Sequence, residues 1–107
     1  MDLQQITNYM AEPEKLIDPR LINTLSGYIN GFISDLEEQN WEERLVSSNK
    51  RMEIIEKSAA VNKADAMWEL TPEYAQWKKT ERMIKRLKRY RADLKDRFLV
   101  ITNTKRF

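Results

Sequence analysis

The sequence predicts an all-α protein: an antiparallel helical hairpin or coiled-coil-like bundle with a short N-terminal helix, completed by self-association. Three observations predict it. Only two glycines and three prolines occur in 107 residues, which leaves little turn chemistry for a sheet. Apolar residues recur three and four apart over most of the chain, the spacing that lines one helix face. Asp18-Pro19 and Thr71-Pro72 each set a capping side chain before a proline. Proline is tolerated at the first helical position because its missing amide would have no intrahelical partner. The length fits one domain, 1–107. Within it we expect an N-terminal helix or arm (1–12), a central region (18–70) that is one helix or two broken near residue 40, and a basic C-terminal helix (72–102).

Taken in order, Asp2 to Ala11 forms a short helix capped by Asp2, with Leu3, Ile6 and Met10 on one face. A helix of about ten residues is marginal alone. It must dock on the body, exchange between protomers or serve as a partner-binding arm. Pro13 ends it, and Glu12 to Ile17 is a connector. After Pro19, Leu21, Leu25, Tyr28 and Phe32 keep heptad spacing, and Ile22, Ile29, Ile33 and Leu36 broaden the face. Gly27 and Gly31 lie four apart within this stretch. Each costs about 1 kcal/mol in a helix, so the pair points to close approach of a neighbouring helix.

At Asn40 the apolar pattern slips by one residue. Asn40-Trp41-Glu42-Glu43 reads as a fresh capping box. The seam resumes as Trp41, Leu45, Ser48, Met52, Ile55, Ala59, Asn62 and Ala66. Either a kink separates two helices or one helix shifts its contact face. Ser48 and Asn62 at seam positions fix register or mark a shallow, wet surface. Met67, Trp68 and Leu70 cover the hairpin tip, so Trp41–Met67 should lie antiparallel to Pro72–Thr102. Lys105, Arg106 and Phe107 form a short tail.

In the last helix Thr71 is the cap, and Glu73 suits the positive end of the dipole. Trp77, Thr80, Ile84, Leu87, Arg91, Leu94, Phe98 and Ile101 alternate three and four apart, and Met83 and Tyr90 widen this face. The expected core and oligomer contacts are Leu25, Phe32, Trp41, Leu45, Met52, Ile55, Trp77, Ile84, Leu87, Leu94 and Phe98. The opposite face is basic: Lys78, Lys79, Arg82, Lys85, Arg86, Lys88, Arg89, Lys95 and Arg97. With Arg91 they are opposed there only by Glu81, Asp93 and Asp96, a net +7. The chain's formal charge of +2 hides this segregation. Residues 1–77 hold seven basic and fourteen acidic side chains, a net −7; residues 78–107 hold twelve and three, a net +9. The two segments could pair within or between protomers, in competition with any outside anion.

No catalytic motif competes with this helix, and the protein is not expected to be an enzyme. Cysteine is absent, which removes disulfides and thiolate chemistry and fits a reducing compartment, the cytoplasm. Histidine is absent too, removing the commonest general base and metal ligand. No phosphate loop or metal-binding spacing occurs, and Glu37-Glu38 and Glu42-Glu43 read as solvated faces, so no cofactor and no metal are expected. The apolar runs are only a few residues long, which argues against a membrane partner.

What remains is anion binding. Lys and Arg along a helix can follow phosphates without reading bases. Tyr90, between Arg89 and Arg91, either stacks on an unpaired base or packs in the core. The order of a short N-terminal helix, a central helix reaching KSAAVNKADAMWEL, a capped return and EYAQWKKTERMIKRLKRYRADLKDRF resembles small phage recombination mediators of the UvsY-like type. That resemblance covers residues 40–102 in pattern. It implies a symmetric oligomer that binds single-stranded DNA in a phage-infected bacterial cell and helps load a recombinase. It adds Lys57 and Lys63 to the basic positions between Lys78 and Arg97. Two rivals stand beside it. One is a protein-interaction module such as an anti-defence inhibitor, adaptor or virion assembly part. The other is a purely structural coiled coil whose halves neutralise one another.

Overall fold

The computed structural model describes residues 1–57 and 60–104. Among them are four α-helices, α1 (Leu3–Met10), α2 (Pro19–Lys57), α3 (Val61–Glu69) and α4 (Pro72–Thr104), with a 3-10 turn at Pro13–Lys15 and no strand. The protein is all-α, with α2 and α4 antiparallel. Its contacts gather into two compact units: unit 1 is Met1–Ser34 with Lys85–Phe107, and unit 2 is Asp35–Ile84.

Unit 1 follows from its caps and its apolar spacing. Asp2 Oδ1 accepts from the Gln5 amide at 2.8 Å and Gln5 Oε1 accepts from the Asp2 amide at 2.8 Å, which starts α1. Ile6 and Met10 are buried, so this short helix docks on the unit. Asp18 Oδ1 accepts from the Arg20 amide at 2.9 Å and opens α2. The core is Ile6 and Met10 from α1, Leu16 from the connector, Ile22, Leu25, Ile29 and Ile33 from α2, and Leu87, Leu94 and Ile101 from α4. Tyr28 is exposed and Phe32 half-buried, so the packed face of α2 centres on Ile22, Leu25, Ile29 and Ile33. Gly27 and Gly31 are exposed, and a methyl group added to either meets nothing within 4 Å. Among the described residues, no helix makes the close approach expected at this pair.

Unit 2 departs most from the sequence reading. α2 runs unbroken through Asn40, so there is no second capping box and no kink-separated helix. Asn40 Nδ2 instead donates to the Trp77 carbonyl at 3.0 Å. Leu36, Asn40, Glu43 and Ile54 are half-buried and Ser47 is fully buried, all on one heptad-spaced face. The seam expected at Trp41, Leu45, Ser48 and Met52 faces solvent instead, with Trp41 59%, Leu45 49% and Met52 54% exposed. The reason is geometric. One residue is about 100° of helix rotation. A one-residue slip in an unbroken helix therefore carries the apolar stripe off the packed face.

The central helix also ends earlier than expected: its described part runs to Lys57, and Ala60 is already extended. α3 begins at Val61 and runs back along α2: Arg51 Nε donates to Asp65 Oδ1 at 2.8 Å, and Trp68 Nε1 donates to the carbonyl and Oγ of Ser47, each at 2.9 Å. Ala64 is the buried residue of α3, while Asn62 and Ala66 are exposed. Ala59 of the expected seam, and the tail Lys105, Arg106 and Phe107, lie outside the described residues. Thr71 then caps α4, accepting from the Tyr74 amide at 3.3 Å and donating to the Trp68 carbonyl at 2.6 Å. Along α4 the expected seam holds: Thr80, Ile84, Leu87, Leu94 and Ile101 are buried, Trp77 and Phe98 half-buried, and Arg91 alone is exposed.

Because Gly27 and Gly31 have open space beside them, Gly27→Ala and Gly31→Ala should each stabilise the protein by about 1 kcal/mol. The readout is the thermal midpoint, which should rise by several degrees per substitution. A fall would restore the close-packing role.

Candidate nucleic-acid interface

The basic residues divide into those that hold the fold and those left to solvent. In unit 1, Arg97 is half-buried; its Nε donates to the Leu16 carbonyl and its Nη2 to the Glu14 carbonyl, both at 2.9 Å. It straps the connector that precedes α2. Arg91 Nη1 donates to Asn30 Oδ1 at 3.1 Å. Lys85, Arg86, Lys88, Arg89 and Lys95 are exposed, and Lys85 and Lys88 also interact within the protein. Among the described residues, Arg86, Arg89 and Lys95 have no ion-pair partner. Arg86 and Arg89 are one helical turn apart on the same face of α4, an axial rise of about 4.5 Å. Each guanidinium can take two oxygens of a phosphate, whereas the lysines act as point charges. Tyr90 is half-buried, in keeping with packing.

In unit 2, Lys79 and Arg82 of α4, Lys57 at the end of α2 and Lys63 of α3 are exposed. Lys78 is engaged elsewhere. Its Nζ lies 4.2 Å from the centroid of Trp77 and 5.7 Å from that of Tyr74, and 3.4 Å from Glu81 Oε2. Of the expected basic set, the structure thus assigns Arg97 and Lys78 mainly to holding the fold.

Unit 2 also contains a feature that the charge pattern does not signal. Trp68, Tyr74 and Trp77 form a cluster, with Trp68 and Trp77 stacked at 6.0 Å and Tyr74 edge-on to both at 4.9 and 5.6 Å. The Arg51 guanidinium lies 5.6 Å from the Trp68 ring while paired with Asp65. Beside them is a cleft of about 360 Å³ lined by Arg44, Ser48, Arg51, Met52, Asp65, Trp68, Glu69 and Trp77. A second groove, about 400 Å³, is lined by Glu42, Glu43, Val46, Pro72, Glu73 and Gln76. There Glu43 Oε1 and Glu73 Oε2 are buried with no hydrogen-bond partner among the described residues. The first cleft mixes both charges and the second is acidic, so neither continues a phosphate-binding surface. Ser47 was the available signal, a small polar residue seven positions after Asn40 and on its face.

No helix among the described residues is long and apolar enough to cross a membrane. Compared with protein-family models, with curated proteins and with solved structures, the chain matches none.

Arg97 separates the two kinds of basic residue. Arg97→Ala should cost about 2 kcal/mol, since it removes two charge-assisted hydrogen bonds at a half-buried site. Arg86→Ala should leave stability within about 0.5 kcal/mol. Urea unfolding of both variants measures the difference, and equal effects would remove the distinction.

Proposed function

We propose that the chain is a non-enzymatic accessory factor that binds single-stranded DNA as a homo-oligomer, of the kind that helps load a recombinase as recombination mediators do. The observation that supports it is the set of solvent-facing cations on α4, above all Arg86, Arg89 and Lys95, which no carboxylate among the described residues neutralises. Like charges at this density repel one another, and a polyanion relieves that repulsion. Such contacts grip the backbone and carry no sequence information, which suits a factor that must act on any strand. The setting this implies is the cytoplasm, and by resemblance that of a phage-infected bacterial cell.

A second reading, a protein-interaction module such as an inhibitor, adaptor or virion assembly part, is favoured by a different observation. Trp41, Leu45 and Met52 form an exposed apolar stripe on α2. A third, in which α4 serves only to neutralise an acidic segment of another protomer, predicts that assembly itself depends on the basic face.

Charge reversal separates the three. Lys85, Arg86, Lys88 and Arg89, all exposed, are changed together to Glu, and oligonucleotide binding and oligomer size are measured. The DNA reading expects binding to vanish with the oligomer intact. Loss of assembly supports neutralisation between protomers, and loss of a protein partner alone supports the module. For the unaltered protein, engagement of about four phosphates gives a log–log slope of affinity against salt near −3. A flat salt response, or no binding at low salt, would sink the DNA reading.

A further inference from the structure

The cleft of about 360 Å³ in unit 2 is assembled from three helices, with Arg44 of α2, Trp68 and Glu69 of α3 and Trp77 of α4 among its walls. Its size falls in the range of roughly 300–1,000 Å³ that suits a small molecule. Much of the wall is fixed before anything enters. The Trp68 indole is tied to Ser47 by two hydrogen bonds of 2.9 Å, and Arg51 is held by Asp65 at 2.8 Å. Rigid walls lower the ordering cost of binding. Arg44 and Glu69 are different. Both are exposed, and neither has an ion-pair partner among the described residues. A guanidinium and a carboxylate thus line one cleft without pairing across it.

These groups define what can occupy the cleft. Two arginines and two carboxylates line it, so no net charge draws a phosphate inside. The two indoles favour a flat ring with a π-face. The fork of Arg44 fits two acceptors side by side. The carboxylate of Glu69 fits two donors side by side. Among the four DNA bases only guanine carries both pairs: O6 and N7 as acceptors, and N1–H and the N2 amino group as donors. Adenine and cytosine offer a single amino nitrogen as donor, and thymine a single ring N–H. We infer that the cleft is a site for an unpaired guanine base, laid against the Trp68–Trp77 wall, with Arg44 on O6 and N7 and Glu69 on N1–H and N2–H.

The inference deepens the single-strand reading proposed above and rests on it for the source of the base. The cations of α4 grip any strand by its backbone, and the cleft adds a preference for strands that carry guanine. The test begins with mononucleotides. The full chain is titrated with dGMP and dTMP, which share sugar and phosphate, while the indole resonances of Trp68 and Trp77 are followed. dGMP should bind about tenfold tighter or more and shift those resonances. The dGMP analogue with hypoxanthine as its base lacks the N2 amino group, and 7-deaza-dGMP lacks the N7 acceptor. Each should lose most of the advantage. Arg44→Ala should abolish the difference between dGMP and its 7-deaza analogue, and Glu69→Ala the difference between dGMP and the hypoxanthine nucleotide. Both positions are exposed, so folding should survive, and circular dichroism checks it. The analogues probe the unaltered chain and stand without the variants. Equal affinity for dGMP and dTMP, analogues that bind as well as dGMP, or folded variants that keep both differences would each overturn the inference. Oligothymidine binding on the same samples separates the two readings. A chain that selects dGMP but ignores the oligonucleotide keeps the site and removes the DNA reading. A chain that binds the oligonucleotide and ignores dGMP keeps the DNA reading and overturns the site.

Discussion

The constraint that the rest of this protein depends on is the continuity of α2. A helix that runs from Pro19 to Lys57 without a break has one rotational phase at each position, and its neighbours must accept whatever side chains that phase turns inward. In unit 1 those are Ile22, Leu25, Ile29 and Ile33, an ordinary apolar contact face. In unit 2 they include Asn40, Glu43 and Ser47. A buried polar group left without a partner costs about 1–3 kcal/mol. The partners of unit 2 therefore meet the needs of Asn40 and Ser47 as well as filling space, while Glu43 Oε1 stays without a partner among the described residues. The Trp77 carbonyl accepts from Asn40, and the Trp68 indole donates to Ser47. Tryptophan suits this work because it brings a large apolar surface together with one donor. The chain's use of a tryptophan at position 68, opposite a polar helix face, thus has a physical reason.

The same logic sorts the cations. A guanidinium presents several donors in a fixed fork and can satisfy carbonyls that a broken helix leaves open. Arg97 does so for Glu14 and Leu16, in the connector where no helix supplies partners. Lys78 lies over two aromatic rings, and Arg51 lies over Trp68 while paired with Asp65. What is left on α4 after these assignments is a smaller and cleaner set than the composition of the helix implies. Arg86, Arg89 and Lys95 are not placed by any packing requirement, and an excess of charge that the fold does not use is the residue-level argument for an outside anion.

Much of this architecture was legible because it is local. Asp2, Asp18 and Thr71 cap as their hydroxyl or carboxylate groups and following prolines or glutamine require, and the seam of α4 is buried nearly as its spacing dictates. The failures share one cause. Apolar periodicity reports which residues share a face, not whether that face is covered by the same chain. The stripe from Trp41 to Met52 satisfies the periodic rule and still points outward. Gly27 and Gly31 share a face as well, and no other helix among the described residues approaches them. The break before α3 carried no signal, since its cap position is Ala60, which has no side chain able to hold a first-turn amide. Toward function the sequence offers only charge segregation, because no residue here demands one chemistry.

The outward stripe and the polar interior of unit 2 are then two consequences of one choice. Had the chain kinked at Asn40 and turned Trp41, Leu45 and Met52 inward, unit 2 would have gained an apolar interior and lost an apolar surface. An unbroken α2 does the reverse: it places large apolar side chains where only another molecule can cover them, and closes the interior with directional hydrogen bonds that tolerate little rearrangement. Hydrogen bonds of this kind specify geometry more than they add stability, since each contributes about 1 kcal/mol net. A unit built so gains more from being covered than one with a full core of its own. Association at the stripe would add the apolar burial that folding of the single chain leaves out, so assembly and stability are linked by mass action.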